Sequence, residues 1–374
     1  MSTQEITYII PLSIPLYVSF ICGLLLLKMF FRNDSILGRK PLLLSVFACM
    51  ISAFGWLAII FYITVPHFFV LMNPVLFLAF TSIHVIYYHF IFEMTRIQND
   101  EKFPVIHYLF PVLLSLGLLI WSLFIPYDFQ VSIADLNDIY IRKFKLSPIY
   151  FSFRFVIFIV WNIIYALFGL YRVIHFRKEI VNYSADEQRI SFTWLYQFLS
   201  ILLLTLPISI LAICLPKHKS FPFLLLFLFI VVAVLKNLIL THNILLNNFV
   251  IIRPDVEEPE ECETDVYSIE NKKRDDIKKL ETYILRNKPY LNPKLKITDL
   301  TRELGTNRTS LSLLINSTYG MNFCRYINLY RLKELERLKE DPVYAGLSEL
   351  EQVLRAGFSD YRGYKRVKER ERFR

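Results

Sequence analysis

The chain has 374 residues, 55% hydrophobic, 16% aromatic and only 20% charged, with a mean hydropathy of +0.41 and a formal net charge of +9. That balance is far from an average soluble domain and makes a membrane protein the first expectation. The charge divides three ways: Lys and Arg against Asp and Glu count 18 to 11 over residues 1–254, 3 to 10 over 255–276 and 21 to 12 over 277–374. Nearly all the long apolar runs lie in the first of these segments, so two regions adapted to different solvents are implied.

Residues 8–31 carry one charge, Lys28, and are long enough to cross a bilayer as a helix. They do not read as a cleavable signal peptide, because no Lys or Arg precedes them and no small-residue cleavage site follows. Further spans are predicted over 41–65, 68–92, 103–125, 148–171, 192–215 and 221–240, seven in all. The boundary at Val65 to Phe68 is the place where the count is most open.

Basic residues set the expected orientation. With the N-terminus outside, the inner connections hold Arg32, Arg39, Lys40, Arg96, Lys102, Arg172, Arg177, Lys178 and Arg189, nine in all. The outer ones hold Arg142, Lys143, Lys145, Lys217 and Lys219, five in all. This bias favours N-out and C-in, a multi-pass membrane protein with its C-terminal region in the cytoplasm.

Polar residues within or at the ends of spans are functional candidates by default. His84 falls near the middle of the third span, His89 and Glu93 lie further along it, Arg154 and Asn162 lie in the fifth and Gln197 in the sixth. Together they are the candidate intramembrane ligand site or polar network. The competing reading is that Arg154, Glu93 and Lys236 reach to the interfaces while the histidines bond to neighbouring helices. His84 and His89 are five residues apart, on different helix faces, which argues against a metal pair. Trp56, Trp121, Trp161 and Trp194 read as packing and interface anchors.

The five cysteines, Cys22, Cys49, Cys214, Cys262 and Cys324, have neither metal-ligand nor disulfide-framework spacing and read as reduced or buried thiols. No P-loop, dinucleotide fingerprint, nucleophile elbow, zinc motif or kinase motif occurs. Neither enzymatic activity nor a cofactor is expected.

Beyond a membrane domain over 1–252, residues 253–276 form an acidic stretch with two prolines, Pro254 and Pro259, expected to be a mobile linker. From Ile277 an amphipathic helix is expected, with Ile277, Leu280, Ile284 and Leu285 on its apolar face. Residues 296–320 then read as two short helices around a tight turn. Thr298 can cap the first, which buries Leu300 and Leu304, and Gly305 sits where a left-handed C-cap is needed. Thr306 or Asn307 can cap the second, whose apolar set Leu311, Leu314 and Ile315 leaves Arg308, Thr309 and Ser312 on the other side. That outer face suits a major groove, and the alternative is an ordinary helical hairpin packed on a neighbour. A long helix bearing Phe323, Ile327, Tyr330, Leu335 and Leu338 follows. Ser348 and Glu351 then supply a capping box for a helix whose Leu350, Val353 and Leu354 are expected to face inward. Gly357 closes it, and a last helix carries Tyr361, Arg362, Lys365 and Arg366.

The stretches PYLNPKLKITDLTRELGTNRTSLSLLIN, GMNFCRYINLYRLKELERL and AGFSDYRGYKR resemble the AraC/XylS family of bacterial transcription regulators over about the last hundred residues. The whole architecture is similar to membrane-bound regulators of this type found in Bacteroidetes-like bacteria. The resemblance implies an all-helical domain over 277–374 with two helix-turn-helix units, placing two recognition helices in successive major-groove segments. By position it implies DNA contacts from Asn307, Arg308, Thr309, Ser312 and Leu313 in the first unit and from Tyr361, Arg362, Lys365 and Arg366 in the second. Two departures stand out. Leu313 occupies a position where family members often have arginine, which weakens direct readout there, and Lys368 occupies a usually aromatic core position, so the final helix is expected to fray.

The expected architecture is therefore all-α: a polytopic membrane helix bundle followed by a cytoplasmic double helix-turn-helix domain. The expected function is a sequence-specific transcription regulator that couples an envelope or membrane signal to promoter binding. Its expected partners are double-stranded DNA, the lipid bilayer, RNA polymerase, a second copy of the chain and an unidentified small-molecule or envelope signal. A transporter or channel with a regulatory tail, and a regulator released by proteolysis of the linker, are the competing readings.

Overall fold

A computed structural model describes residues 3–32, 37–98, 100–134, 147–214, 223–252, 266–344 and 346–372. Every named element among them is helical, and the single extended pairing among the described residues is an isolated antiparallel bridge between Ser184 and Lys296. Two compact units emerge. One comprises Met1–Thr95, Asp100–Val173 and Thr193–Asn247, the other Arg96–Asn99, Ile174–Phe192 and Asn248–Arg374.

The first unit is built from α1 (Thr3–Arg32), α2 (Arg39–Thr64), α3 (Pro66–Met94), α4 (Ile106–Phe124), α5 (Tyr127–Ala134), most of α6 (Ser147–Ile180), α8 (Thr193–Cys214) and α9 (Phe223–Leu245). Six helices are long and apolar enough among the described residues to cross a membrane, over Ile9–Arg32, Arg39–Tyr62, His67–Met94, Ile106–Phe124, Val156–Ile180 and Leu226–Leu245. By length and composition this is a membrane protein. At the open boundary the chain does break: Val65 ends α2 with φ −141° and Pro66 starts α3, where its missing N–H is harmless and its fixed φ suits the first helical position. The short helix α5 has no counterpart in the sequence-based reading, and α6 continues past the predicted end of its span to Ile180. Helices α1, α2 and α9 pack together around Leu12, Trp56, Leu226, Ile230 and Ala233, with Trp56 against Phe229 at 5.1 Å between ring centroids.

The second unit contains the end of α6, α7 (Glu187–Ile190), α10 (Val266–Asn287), a 3₁₀ turn (Pro289–Leu291), α11 (Ile297–Leu304), α12 (Arg308–Tyr319), α13 (Phe323–Glu340), α14 (Glu349–Arg355) and α15 (Tyr361–Arg372). The helix expected from Ile277 begins at Val266, so half of the acidic stretch is helical; the remainder of the expected linker, 253–265, lies outside the described residues. On α10 the apolar face is narrower than expected. Leu280 and Ile284 are fully buried, but Leu285, one residue past that stripe, is 63% exposed. The same holds on α14, where Val353 is buried while Leu350 and Leu354 are exposed, contrary to expectation. Around Val353 the core continues through Leu335, Leu338, Ala356, Phe358, Tyr364 and Val367. The final helix extends to Arg372, with Tyr364 and Val367 buried and Glu371 accepting two 2.8 Å bonds from Arg325.

Candidate functional site

Helices α11 and α12 form a tight hairpin whose local chemistry dictates its turn. The first helix is capped not at Thr298 but at Lys296, whose amide donates to the Asp299 carboxylate at 2.9 Å. Gly305 then takes φ +65°, a conformation that costs a side-chain-bearing residue free energy and glycine little. Asn307 caps α12 by accepting from the Ser310 amide at 2.7 Å. Leu311 and Ile315 are buried beneath α12, and its opposite side presents Thr309, Leu313 and Ser317 exposed, with Arg308, Ser312 and Asn316 half-buried.

The candidate contacts of this hairpin thus separate by role. Asn307 spends its carbonyl oxygen on the cap, whereas Arg308, Thr309, Ser312 and Leu313 lie on the outward side. Leu313, 60% exposed, also borders an open groove with Lys273, Asp276 and Lys279 of α10. A large apolar side chain on an otherwise polar helix face offers van der Waals contact and no hydrogen bond.

The second hairpin is capped at Ser348, whose amide donates to Glu351 at 3.0 Å while its hydroxyl accepts from the Glu351 amide. Tyr361 donates its hydroxyl to Glu349 at 2.9 Å, and that bond raises its pKa above the ordinary phenol value. Arg362 and Lys365 are exposed and Arg366 half-buried, making a basic outer face on α15. Arg370 belongs to a different set, since it pairs with Glu187, which raises its pKa.

Sequence patterning does not single out Arg331 on α13, a fully buried charged side chain of this unit. It is 1% exposed and donates to the carbonyl oxygens of Tyr290 at 2.8 Å, Ala185 at 2.6 Å and Asn292 at 2.8 Å, and to Asn328 Oδ1 at 2.9 Å. Burial lowers its pKa to about 10, so it remains a guanidinium at neutral pH. Beside it Glu334 accepts from Tyr290, Lys288 and Arg337. Burial pushes the Glu334 pKa up, but the bonds from Arg337 and Lys288 outweigh it and hold the carboxyl below its usual range.

Among the described residues the polar candidates of the first unit make local contacts. His84 is buried, with Nδ1 3.0 Å from the Phe80 carbonyl of its own helix. His89 stacks on Phe103 at 3.9 Å between centroids, with Nδ1 2.9 Å from the Tyr108 hydroxyl and Nε2 3.6 Å from Glu93. Asn162 donates to the Leu202 carbonyl and Thr205 Oγ1. Gln197 is exposed on α8, and the Arg154 side chain lies outside the described residues. A cluster the sequence reading does not contain joins α1, α2 and α9: Asn237 donates to Ser19 at 2.6 Å and to Ser52 at 3.3 Å, all three fully or nearly buried. Its Oδ1 is buried with no hydrogen-bond partner. Small hydroxyl residues inside apolar runs carry no periodic signal, so only the packing of three helices reveals it.

No known protein family, curated protein or solved structure matches this chain.

Proposed function

We propose that this protein is a membrane-bound, sequence-specific DNA-binding transcription regulator. The observation that carries the reading is the pairing of outer faces in the C-terminal unit. Helix α12 presents Arg308, Thr309, Ser312 and Leu313, helix α15 presents Arg362, Lys365 and Arg366, and each follows a capped short helix and a tight turn. Two short polar or basic helices joined through a longer one suit successive major-groove segments, with Arg and Lys neutralising phosphates and the α12 side chains reaching base edges. Asn307 and Tyr361, engaged in local bonds, position these helices and leave base reading to their neighbours.

In this reading α8 completes seven spans, the N-terminus is outside the cytoplasmic membrane, and the hairpins work in the cytoplasm, where RNA polymerase and a second copy of the chain are the protein partners. The buried Ser19, Ser52 and Asn237 cluster is the place in the bundle best suited to answer a membrane or envelope signal, because three helices meet there on polar side chains and the Asn237 Oδ1 has no hydrogen-bond partner. The test is binding of full-length protein in nanodiscs to fragments of its own genome at rising salt. Selective binding of a few fragments with a steep salt dependence is expected; equal weak binding to all fragments contradicts the reading.

A further inference from the structure

Residues 181–190, the connection between α6 and α8, are built into the second unit as if they were one of its own structural elements. The Ala185 amide donates to the Leu295 carbonyl at 3.1 Å and the Ile297 amide donates to the Tyr183 carbonyl at 2.9 Å, framing the bridge between Ser184 and Lys296. The Cys324 amide donates to the Val181 carbonyl at 2.9 Å. Cys324 lies in the first turn of α13, so this bond satisfies one of the N–H groups that a helix leaves without an internal partner. The Ala185 carbonyl receives Arg331.

Side chains extend the contact to the second hairpin. Asp186 caps α7 and also accepts from the Ser359 hydroxyl at 2.9 Å, in the turn before α15. Glu187 accepts from the Cys324 thiol at 3.3 Å and pairs with Arg370 on α15. Tyr183, Ala185, Asp186 and Glu187 are all buried, Ala185 completely. Two consecutive acidic side chains in a surface connection would ordinarily be solvated; here both are withdrawn from water and each has a partner in the C-terminal chain. The exit from the segment is fixed as well. Phe192 holds φ +47°, a rare conformation for a bulky residue, with its buried ring packed edge-on against Phe176 at 5.5 Å.

We propose that residues 181–190 are a noncovalent clamp that binds both helical hairpins and their connecting helix, so that the C-terminal unit stays attached to the membrane chain even when the 253–265 stretch is severed. The clamp touches the approach to α11, the start of α13 and the body of α15, and its two ends run directly into α6 and α8. The contacts themselves, and not the DNA reading, carry this inference.

The test uses the full chain in nanodiscs, with an N-terminal affinity tag and a specific protease site inserted between Pro259 and Glu260. After complete cleavage, the C-terminal fragment is expected to remain on the resin with the tagged fragment. Glu187→Arg should lower its retention about tenfold or more, and Glu187→Arg combined with Arg370→Glu should recover much of it. Arg308→Ala, on the outer face of α12, should leave retention unchanged and controls for general perturbation. Quantitative loss of the wild-type fragment on cleavage, or retention that Glu187→Arg does not alter, would overturn the proposal.

Discussion

Arg331 on α13 donates from Nη1 to the carbonyl oxygen of Ala185 at 2.6 Å, across 146 residues of sequence. The same guanidinium holds the carbonyls of Tyr290 and Asn292, so one side chain ties the entry to the first hairpin, the connecting helix and the segment between α6 and α8. Replacing it by Met leaves buried carbonyls without donors, and Lys cannot reproduce the planar fork that reaches them. Both Arg331→Met and Arg331→Lys are expected to cost about 3 kcal/mol or more. Hydrogen exchange of the full chain should report this as lost protection at the amides of Ala185 and Ile297, with protection in α1 and α2 unchanged.

Glu334 makes the stability of the second unit depend on acid. Its folded pKa lies below the ordinary 4.5, because the bonds from Arg337 and Lys288 prevail over burial. Its contribution is therefore complete above about pH 4.5 and disappears as pH falls through the lower folded value. Denaturant midpoints of the C-terminal unit measured from pH 7 to pH 3 should fall in that acid window, and Glu334→Gln should flatten this part of the curve.

Two glycines should respond differently to alanine. Gly305 has φ +65° and open space where a methyl group would stand, so Gly305→Ala carries only the backbone penalty, about 1 kcal/mol. Gly357 has φ +94° and its Cβ would stand 2.3 Å from the Tyr290 carbonyl oxygen, so Gly357→Ala must displace backbone. Thermal unfolding should rank wild type above Gly305→Ala, and Gly305→Ala well above Gly357→Ala. Equal losses would contradict the close approach of the α14–α15 turn to Tyr290.

On DNA, Leu313→Arg should change base preference, since it adds a bidentate donor to the outer face of α12, whereas Arg308→Ala should weaken binding to all sequences if Arg308 contacts phosphate. Selection from random duplexes, followed by comparison of the enriched motifs, separates the two. Identical motifs for wild type and Leu313→Arg would remove α12 from the role of reader.

How much of the fold and site is legible in the sequence follows from the range over which each signal acts. Long apolar runs are local, and six of the expected spans appear as apolar helices. Caps are local too, so Asn307, Ser348 and Gly305 stand where their chemistry requires them. Thr298 loses its expected role because Asp299 reaches the Lys296 amide, a competition between neighbours that residue type alone does not decide. Leu350 and Leu354 fit the period of a buried stripe, yet periodicity does not fix how wide the covering surface is. Arg331 and Glu187 are illegible for a different reason. Each resembles the charged residues around it, and its partners lie far away along the chain. Among the described residues His84, His89 and Asn162 bond to nearby groups and Gln197 is exposed, since sharing a membrane depth does not by itself make helices present their polar groups to each other.

The most direct measurement of the central claim is genome-wide mapping of DNA bound by the intact protein recovered from the membrane fraction of its own cells. A tethered, paired reader predicts discrete promoter sites sharing two sequence elements about one helical turn apart, lost in the Arg362→Ala, Lys365→Ala double variant although that protein still reaches the membrane. Recovery of the same DNA by wild type and variant, or no enrichment at any site, would contradict it.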